Sequence, residues 1–191
     1  MKTGTLQELN VQSGDVHSIS LLRTLLTCDP QTGDLFWKRR SYLFFNSDRA
    51  AKSWNTRFAN KKALTAPDNK GYLHGNIFGR KFRAHTIVWA ICTGSWPENF
   101  IDHINLNKSD NRIENLRDAT GSQNQFNHRL RSDNTSGFKG VAWCKRDKKW
   151  KASIRVYGKN KSLGYYDNPE DAYKAYCNAS RIHHGDFSRV E

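Results

Sequence analysis

Apolar and polar positions along this chain follow two periods, and the switch between them outlines the elements. From 18 to 26 the apolar residues fall at 19, 21, 22, 25 and 26, the spacing of a short amphipathic helix. Asp29-Pro30-Gln31-Thr32-Gly33-Asp34 predicts a turn that delivers the strand Leu35-Phe36-Trp37-Lys38. Positions 39–70 show no clear period, and loop with short strands is expected there. The runs 72–78 and 81–84 flank Gly79-Arg80 as a β-hairpin, and 85–93 follows as a short helix closed by Gly94. Positions 100–117 read as strand, polar loop, strand. Thr120 and Gln123 form a capping-box signature that opens a helix through about 131.

The segment 131–137 is small and polar, which marks a domain boundary. Beyond it, 138–143, 149–157 and 161–166 are aromatic and β-branched runs separated by turns. Asn168-Pro169-Glu170-Asp171 then starts a helix, with Asn as N-cap, Pro at the first helical position and acids in the first turn. Apolar residues at 172, 173, 176, 179 and 182 give that helix a buried face. The chain is therefore expected to be α+β: a flexible tail over 1–17, a first domain over 18–131 with a basic N-terminal region, and a second over 132–191 made of a three-stranded antiparallel sheet packed on one helix. Trp143 is expected in the second core.

Composition adds a partner class. Of 191 residues 37% are apolar, so a core can form, while 31 Lys and Arg against 18 Asp and Glu leave a net charge of +13. Such an excess points to a polyanion. No apolar run reaches the length that spans a bilayer, and the first 16 residues hold no signal-like apolar core. A cytoplasmic protein with no membrane partner is expected, and nucleic acid remains. The charge is concentrated: positions 38–83 carry twelve basic residues against two acidic ones. Among them Arg39, Arg40, Arg80 and Arg83 are candidates for phosphate contacts. Cys28, Cys92, Cys144 and Cys177 are scattered, with no Cys-x-x-Cys pair, so zinc-finger spacings are absent and reduced, buried thiols are expected.

The chemistry lies between 100 and 128. An Asp102-His103 pair is followed by Asn115 and then by Asn124 on the capped helix. Hydrolysis of a phosphodiester needs a deprotonated water, charge stabilisation on the phosphate and help for the departing oxygen. An imidazole of near-neutral pKa suits the first task, and a divalent cation held by few protein ligands suits the other two. His103 can act as the base. Asp102, its neighbour on an extended segment, points to the opposite side. The Asn115 amide could fix the imidazole or tie the loop shut, and His128 is expected on the same helix face as Asn124.

Residues 85–128, from His85-Thr86-Ile87-Val88-Trp89 through Asp102-His103, Asn115-Leu116-Arg117 and Gln123-Asn124, resemble the HNH nuclease family in its phage and intron-associated homing branch. The resemblance implies a ββα-metal fold with His103 as general base, Asn115 as the residue that orients it, and Asp102 and Asn124 as metal ligands. His128 matches a ligand position of some toxin-type members. With asparagine in place of the family's last histidine, one Mg²⁺ or Mn²⁺ per active site is expected rather than a softer metal.

Residues 136–187 resemble the Apetala-2/ethylene-response-factor type of DNA-binding domain. The match rests on Ser-Gly-Phe-Lys-Gly-Val-Ala-Trp at 136–143, Trp-Lys-Ala-Ser-Ile-Arg-Val at 150–156, Leu-Gly-Tyr-Tyr at 163–166 and Pro-Glu-Asp-Ala-Tyr-Lys-Ala-Tyr at 169–176. That implies a sheet lying in the major groove, with Lys145, Lys151, Ser153 and Arg155 toward the DNA. More loosely, Asp29-Pro30 through Trp37 and Gly71-Tyr72-Leu73 resemble the segment that precedes this nuclease core in phage proteins. The expected function is a divalent-metal-dependent HNH endonuclease on double-stranded DNA, site-specific and of homing type, phage-encoded, acting as monomer or homodimer. The rivals are a DNA-binding regulator with a vestigial site, disfavoured by the filled motif, and a nonspecific degradative nuclease, disfavoured by the additional reader.

Overall fold

The computed structural model describes residues 17–130 and 132–190, and the chain divides into two units, Met1–Asp118 and Ala119–Glu191. The tail expected over 1–17 lies outside the described residues except for His17, whose carbonyl accepts a hydrogen bond from the Trp96 indole at 2.6 Å. The polar segment expected as a boundary, 131–137, falls within the second unit.

In the first unit, α1 (Ile19–Leu25) begins at Ser18, whose hydroxyl accepts from the Leu21 amide, one of the donors that a helix start leaves unpaired. The chain continues as β1 (Leu26–Cys28) and turns back as β2 (Leu35–Trp37); β3 (Lys62–Ala63) completes an antiparallel sheet. Between β2 and β3 the structure departs from the loop expected there, with an eleven-residue helix, α2 (Asp48–Phe58). Its start is well marked by the Ser47 cap and Asp48 in the first turn. Its buried side combines Ala51 with Asn55, and a polar residue on that face hides the helical period.

A meander follows: β4 (Ala66–Pro67), β5 (Leu73–Ile77) and β6 (Arg80–Arg83), leading into α3 (Ala84–Thr93). Gly94 ends α3 in the left-handed region, φ 79°, where its amide reaches the Ala90 carbonyl. The core gathers Leu22, Leu25, Leu26, Leu35, Ile77, Ile87 and Val88 from α1, β1, β2, β5 and α3. Each large side chain buried there contributes roughly 1.5–3 kcal/mol. The ribbon β7 (Phe100–His103) and β8 (Leu116–Ala119) joins this core through Ile101 and Leu116. The ribbon's polar end is thereby fixed to a rigid body.

The second unit opens with α4 (Gly121–Phe126), where Thr120 and Gln123 form the expected reciprocal capping box. The helix stops at Phe126, short of the expected end, and Asn127 caps it. Strands β9 (Val141–Cys144), β10 (Lys149–Val156) and β11 (Lys159–Tyr166) make an antiparallel sheet in the order β11-β10-β9. Helix α5 (Pro169–His184) starts from the Asn168 cap, with Pro in its first turn. Val141, Ala152 and Ile154 of the sheet bury against Ala172, Tyr176 and Ala179 of α5.

Two expectations fail here. Ile182 is exposed, because Ser180 and His184 continue the buried face. Trp143 is also largely exposed, on edge strand β9 with its ring edge against Trp150. The cysteines are free but none is fully buried, and the Cys28 and Cys92 sulfurs lie 3.6 Å apart. The fold is α+β. Among the described residues no helix is long and apolar enough to cross a membrane.

Candidate active site

His103 ends β7 and is 4% exposed. Its Nε2 lies 3.1 Å from Asn111 Oδ1, an acceptor; this pairing suits the tautomer that donates from Nε2–H and carries its lone pair on Nδ1. Burial pulls His103 below the ordinary histidine value, against the Asn111 hydrogen bond and the Asp102 and Asp110 charges, which raise it. Asp102, also 4% exposed, faces Arg117 of β8, whose Nε and Nη2 donate to Oδ2 at 2.9 and 2.7 Å. Two charged donors converging on one oxygen hold that side of the carboxylate in place.

The loop from 104 to 115 is held by its own polar side chains. Asn115 Oδ1 accepts from the Asn105 amide at 3.0 Å, and its Nδ2 donates to the Asp110 carbonyl at 2.7 Å. Of the two roles open for Asn115, the geometry places its amide on the loop backbone. A side chain bonded to the imidazole is Asn111, 2% exposed, to which the sequence alone gives no role. Arg112 grips Asp110 through Nε and Nη2, both at 2.9 Å, and this pairing holds the Asp110 carboxyl down at about 2.

The loop also leans on the turn between β1 and β2. The Ile113 amide donates to the Pro30 carbonyl at 3.1 Å. Gly33, φ 71°, passes so near that a β-carbon there would sit 2.1 Å from the Asn111 carbonyl carbon. Only glycine permits both that backbone conformation and that approach. The Asp29–Asp34 turn therefore helps to set Asn111, and through it the His103 imidazole.

Aromatic rings and cations surround His103. The His85 ring stands edge-on at 5.1 Å between centroids, and Tyr72 lies at 5.8 Å. Arg83 and Lys108 lie over the Tyr72 ring at 4.5 and 5.0 Å. His85 is buried with Nδ1 unpartnered; burial first, then the nearby His103, pushes it down to about 3. His85 and Tyr72 fall within stretches that carry the resemblance, but neither they nor Lys108 sit at a spacing that assigns them to this site.

The remaining candidates scatter. Arg39, Arg80 and Arg83 are exposed, whereas Arg40 is buried among aromatic rings and does not extend into solvent as a basic loop residue would. Asn124 lies on α4, half-buried; His128 is exposed beyond the end of that helix, because α4 stops at Phe126. In the second unit Lys151, Ser153 and Arg155 alternate on β10 with the buried Ala152 and Ile154, and Lys145 is exposed in the β9–β10 turn. The same face carries Ala142 and Tyr165 opposite Lys151, Ser162 opposite Ser153 and Asn160 opposite Arg155.

Comparison with known proteins gives the family. The model of the family described as HNH endonuclease matches residues 82–126, which span β7, the polar loop, β8 and α4. Protein 3.8 of Escherichia phage T7 is 33% identical over 108 residues, 56% of this chain and 88% of that protein. A solved structure titled "DNA binding and cleavage by the HNH homing endonuclease I-HmuI" aligns over 87% of this chain and 86% of its own, at 18% identity and a TM-score of 0.35. The matched segment holds both the buried Asp102-His103 pair and the loop that braces it, and the chain belongs to the HNH endonuclease family, whose members are DNA-cleaving hydrolases.

Proposed function

We propose that the protein is a divalent-metal-dependent endonuclease that cuts double-stranded DNA at chosen sites, in the manner of a homing nuclease. The observation that carries this reading is the buried His103 imidazole, hydrogen-bonded through Nε2 to Asn111 beside an oriented Asp102. In the reaction Nδ1 of His103 takes the proton of the attacking water. Burial keeps the imidazole in its basic form near neutral pH. Asn111 preserves the tautomer, and the loop that Asn115 ties shut keeps Asn111 in place.

The donor chemistry fits a hard cation. Asp102 offers oxygen, and among the described residues no three His, Cys, Asp or Glu side chains converge to cage a softer metal. Mg²⁺ and Mn²⁺ are commonly held by one or two protein oxygens, with water and phosphate completing the shell. Such an ion, when bound, would stabilise charge on the phosphate and help the 3′ oxygen depart. Asp102 is the ligand assigned from the first unit; Asn124 and His128 of the second are ligand candidates on the family resemblance alone.

The second unit is assigned as the reader on the same ground: the polar face of its sheet, with Lys151, Ser153 and Arg155, suits a major groove. The site of action is the cytoplasm of a bacterial host. Incubating supercoiled plasmid with Mg²⁺, with and without His103→Ala, tests the reading. Metal-dependent cutting by the parent alone supports it, and a parent that binds without cutting reassigns the chain to regulation. Cuts mapped to a few positions support site choice, and cuts spread everywhere indicate a degradative enzyme.

A further inference from the structure

The basic stretch ahead of α3 holds a feature that the catalytic site does not use. Arg40 is 9% exposed, yet its guanidinium meets rings rather than a carboxylate: Trp37 at 4.7 Å, Trp54 at 4.0 Å and Phe78 at 5.0 Å, with Nε sealed from water and unpartnered. Asn55 grips its backbone from both sides, accepting from the Arg40 amide at 2.8 Å and donating to the Arg40 carbonyl at 2.9 Å. Cation–π contact offsets only part of the cost of burying a charge without a counter-ion. The guanidinium is thus built into the ring cluster, which it holds together beneath the residues that follow.

A ridge stands next to it. Ser41 caps a short 3₁₀ turn, Tyr42–Phe44, in which Tyr42 is 62% and Leu43 47% exposed. Phe44 stacks on Phe78 at 5.8 Å and 19°, so the ridge rests on the same rings that cage Arg40. One exposed apolar side chain is ordinary; adjacent ones on a braced turn form a rigid apolar edge. Cations border it. Arg49, Lys52 and Arg57 of α2 line a shallow depression with Ser53 and Thr56, and Arg39 is exposed just before the ridge. The one acid between 38 and 58, Asp48, is taken up by the start of α2.

We infer that this face docks duplex DNA, with Tyr42 and Leu43 wedged against a base step while Arg39 and the α2 cations hold the flanking phosphates. This rests on the reading that the chain works on duplex DNA. The charge selects the occupant: a polyanion satisfies Arg39 and the α2 cations together, and an apolar edge between phosphate contacts is the means by which proteins unstack and kink a duplex.

The test uses the full chain, a cleaved duplex carrying 2-aminopurine at successive steps, and the double variant Tyr42→Ala/Leu43→Ala. The parent should raise fluorescence at one or two adjacent steps, and the variant should not. On intact duplex the variant should cut about 10–100-fold more slowly, the equivalent of an unstacking cost of a few kcal/mol. A mismatch placed at the responding step removes that cost and should restore the variant to within about threefold of the parent. Equal fluorescence from both proteins, or equal slowing on intact and mismatched DNA, overturns the wedge. So does a change of oligomeric state without any change on DNA, which would assign the ridge to a second copy. A parent that cuts but never unstacks overturns the wedge and leaves the nuclease reading standing; a parent that never cuts overturns both.

Discussion

The two polar faces assigned to function are built on opposite principles. Around His103 side chains are bound to named partners, Asn111 to the imidazole, Arg117 to Asp102, Asn115 to loop backbone and Arg112 to Asp110, and His103, Asp102, Asn111 and Asn115 are buried. On the β10–β11 face, Ser153 and Lys151 are half-buried and Arg155 exposed, with its Nε donating to the Gly158 carbonyl at 3.3 Å. Chemistry requires preorganised groups that do not rearrange during reaction. Reading a groove requires side chains that remain free to adapt to base edges. Substitutions at the first face should therefore cost rate or stability steeply, and those at the second should cost discrimination while leaving rate and fold alone.

The largest effect belongs to His103. His103→Ala should slow cleavage by ~10²–10⁴-fold with little change in DNA affinity, because a lost general base removes chemistry and not phosphate contacts. Single-turnover cleavage beside a binding titration checks this. A variant that cuts at close to the parent rate would remove His103 from the mechanism and erase the contrast between the faces.

His85 sharpens the same contrast through pH. Its folded value, about 3, lies well below that of an unfolded histidine near 6.5, so between those values the unfolded chain binds a proton that the native one does not. Stability should then be fully present above about 6.5 and fall as pH drops toward 3, by up to several kcal/mol in total. In His85→Phe, denaturant titrations between these limits should show a flatter pH dependence than the parent. An unchanged slope would assign the acid sensitivity to other groups.

Gly33 carries the contrast away from the site itself. Gly33→Ala imposes strain at φ 71° and drives a β-carbon into the Asn111 backbone. Roughly 2–4 kcal/mol of destabilisation is expected from strain and overpacking together. Asn111→Ala, which leaves the turn intact, should instead lower the cleavage rate about tenfold or more at near-parental stability, since the imidazole loses the acceptor that fixes its tautomer. If Asn111→Ala cuts normally, the brace is structural only.

Much of this was legible because local chemistry and global fold agree. The Thr120–Gln123 capping box and the Asn168-Pro169 helix start appear as read, since a cap depends on residues within one turn. The strand–loop–strand around Asp102-His103 could be read for the same reason. Asn111 was not legible: its role depends on a hydrogen bond across the loop and on the approach of Gly33, far away in sequence. Helix α2 escaped because Asn55 occupies its buried face to grip Arg40, so a polar residue stands where the period requires an apolar one. Trp143 misled because an aromatic residue on a strand suggests core, and only the strand order shows that β9 is an edge.

The smallest expected effect is at Arg155, and it tests the reader directly. Arg155 lies opposite Asn160 on β10, exposed between the inward-facing Ile154 and Val156. From that position a guanidinium can take a guanine edge in the major groove by a bidentate contact worth about 1–3 kcal/mol of base discrimination. Arg155→Ala should accordingly weaken binding to the preferred site more than binding to random DNA, with rate at saturation and stability unchanged. A guanidinium resting on phosphate would behave otherwise: affinity for every sequence would fall alike, and the salt slope would shrink by about one unit. Affinities for specific and random duplexes at two salt concentrations separate the two. Equal losses on both would move Arg155 to the backbone, and base reading would then fall to its neighbours on the same face, Lys151 with Tyr165 and Ser153 with Ser162.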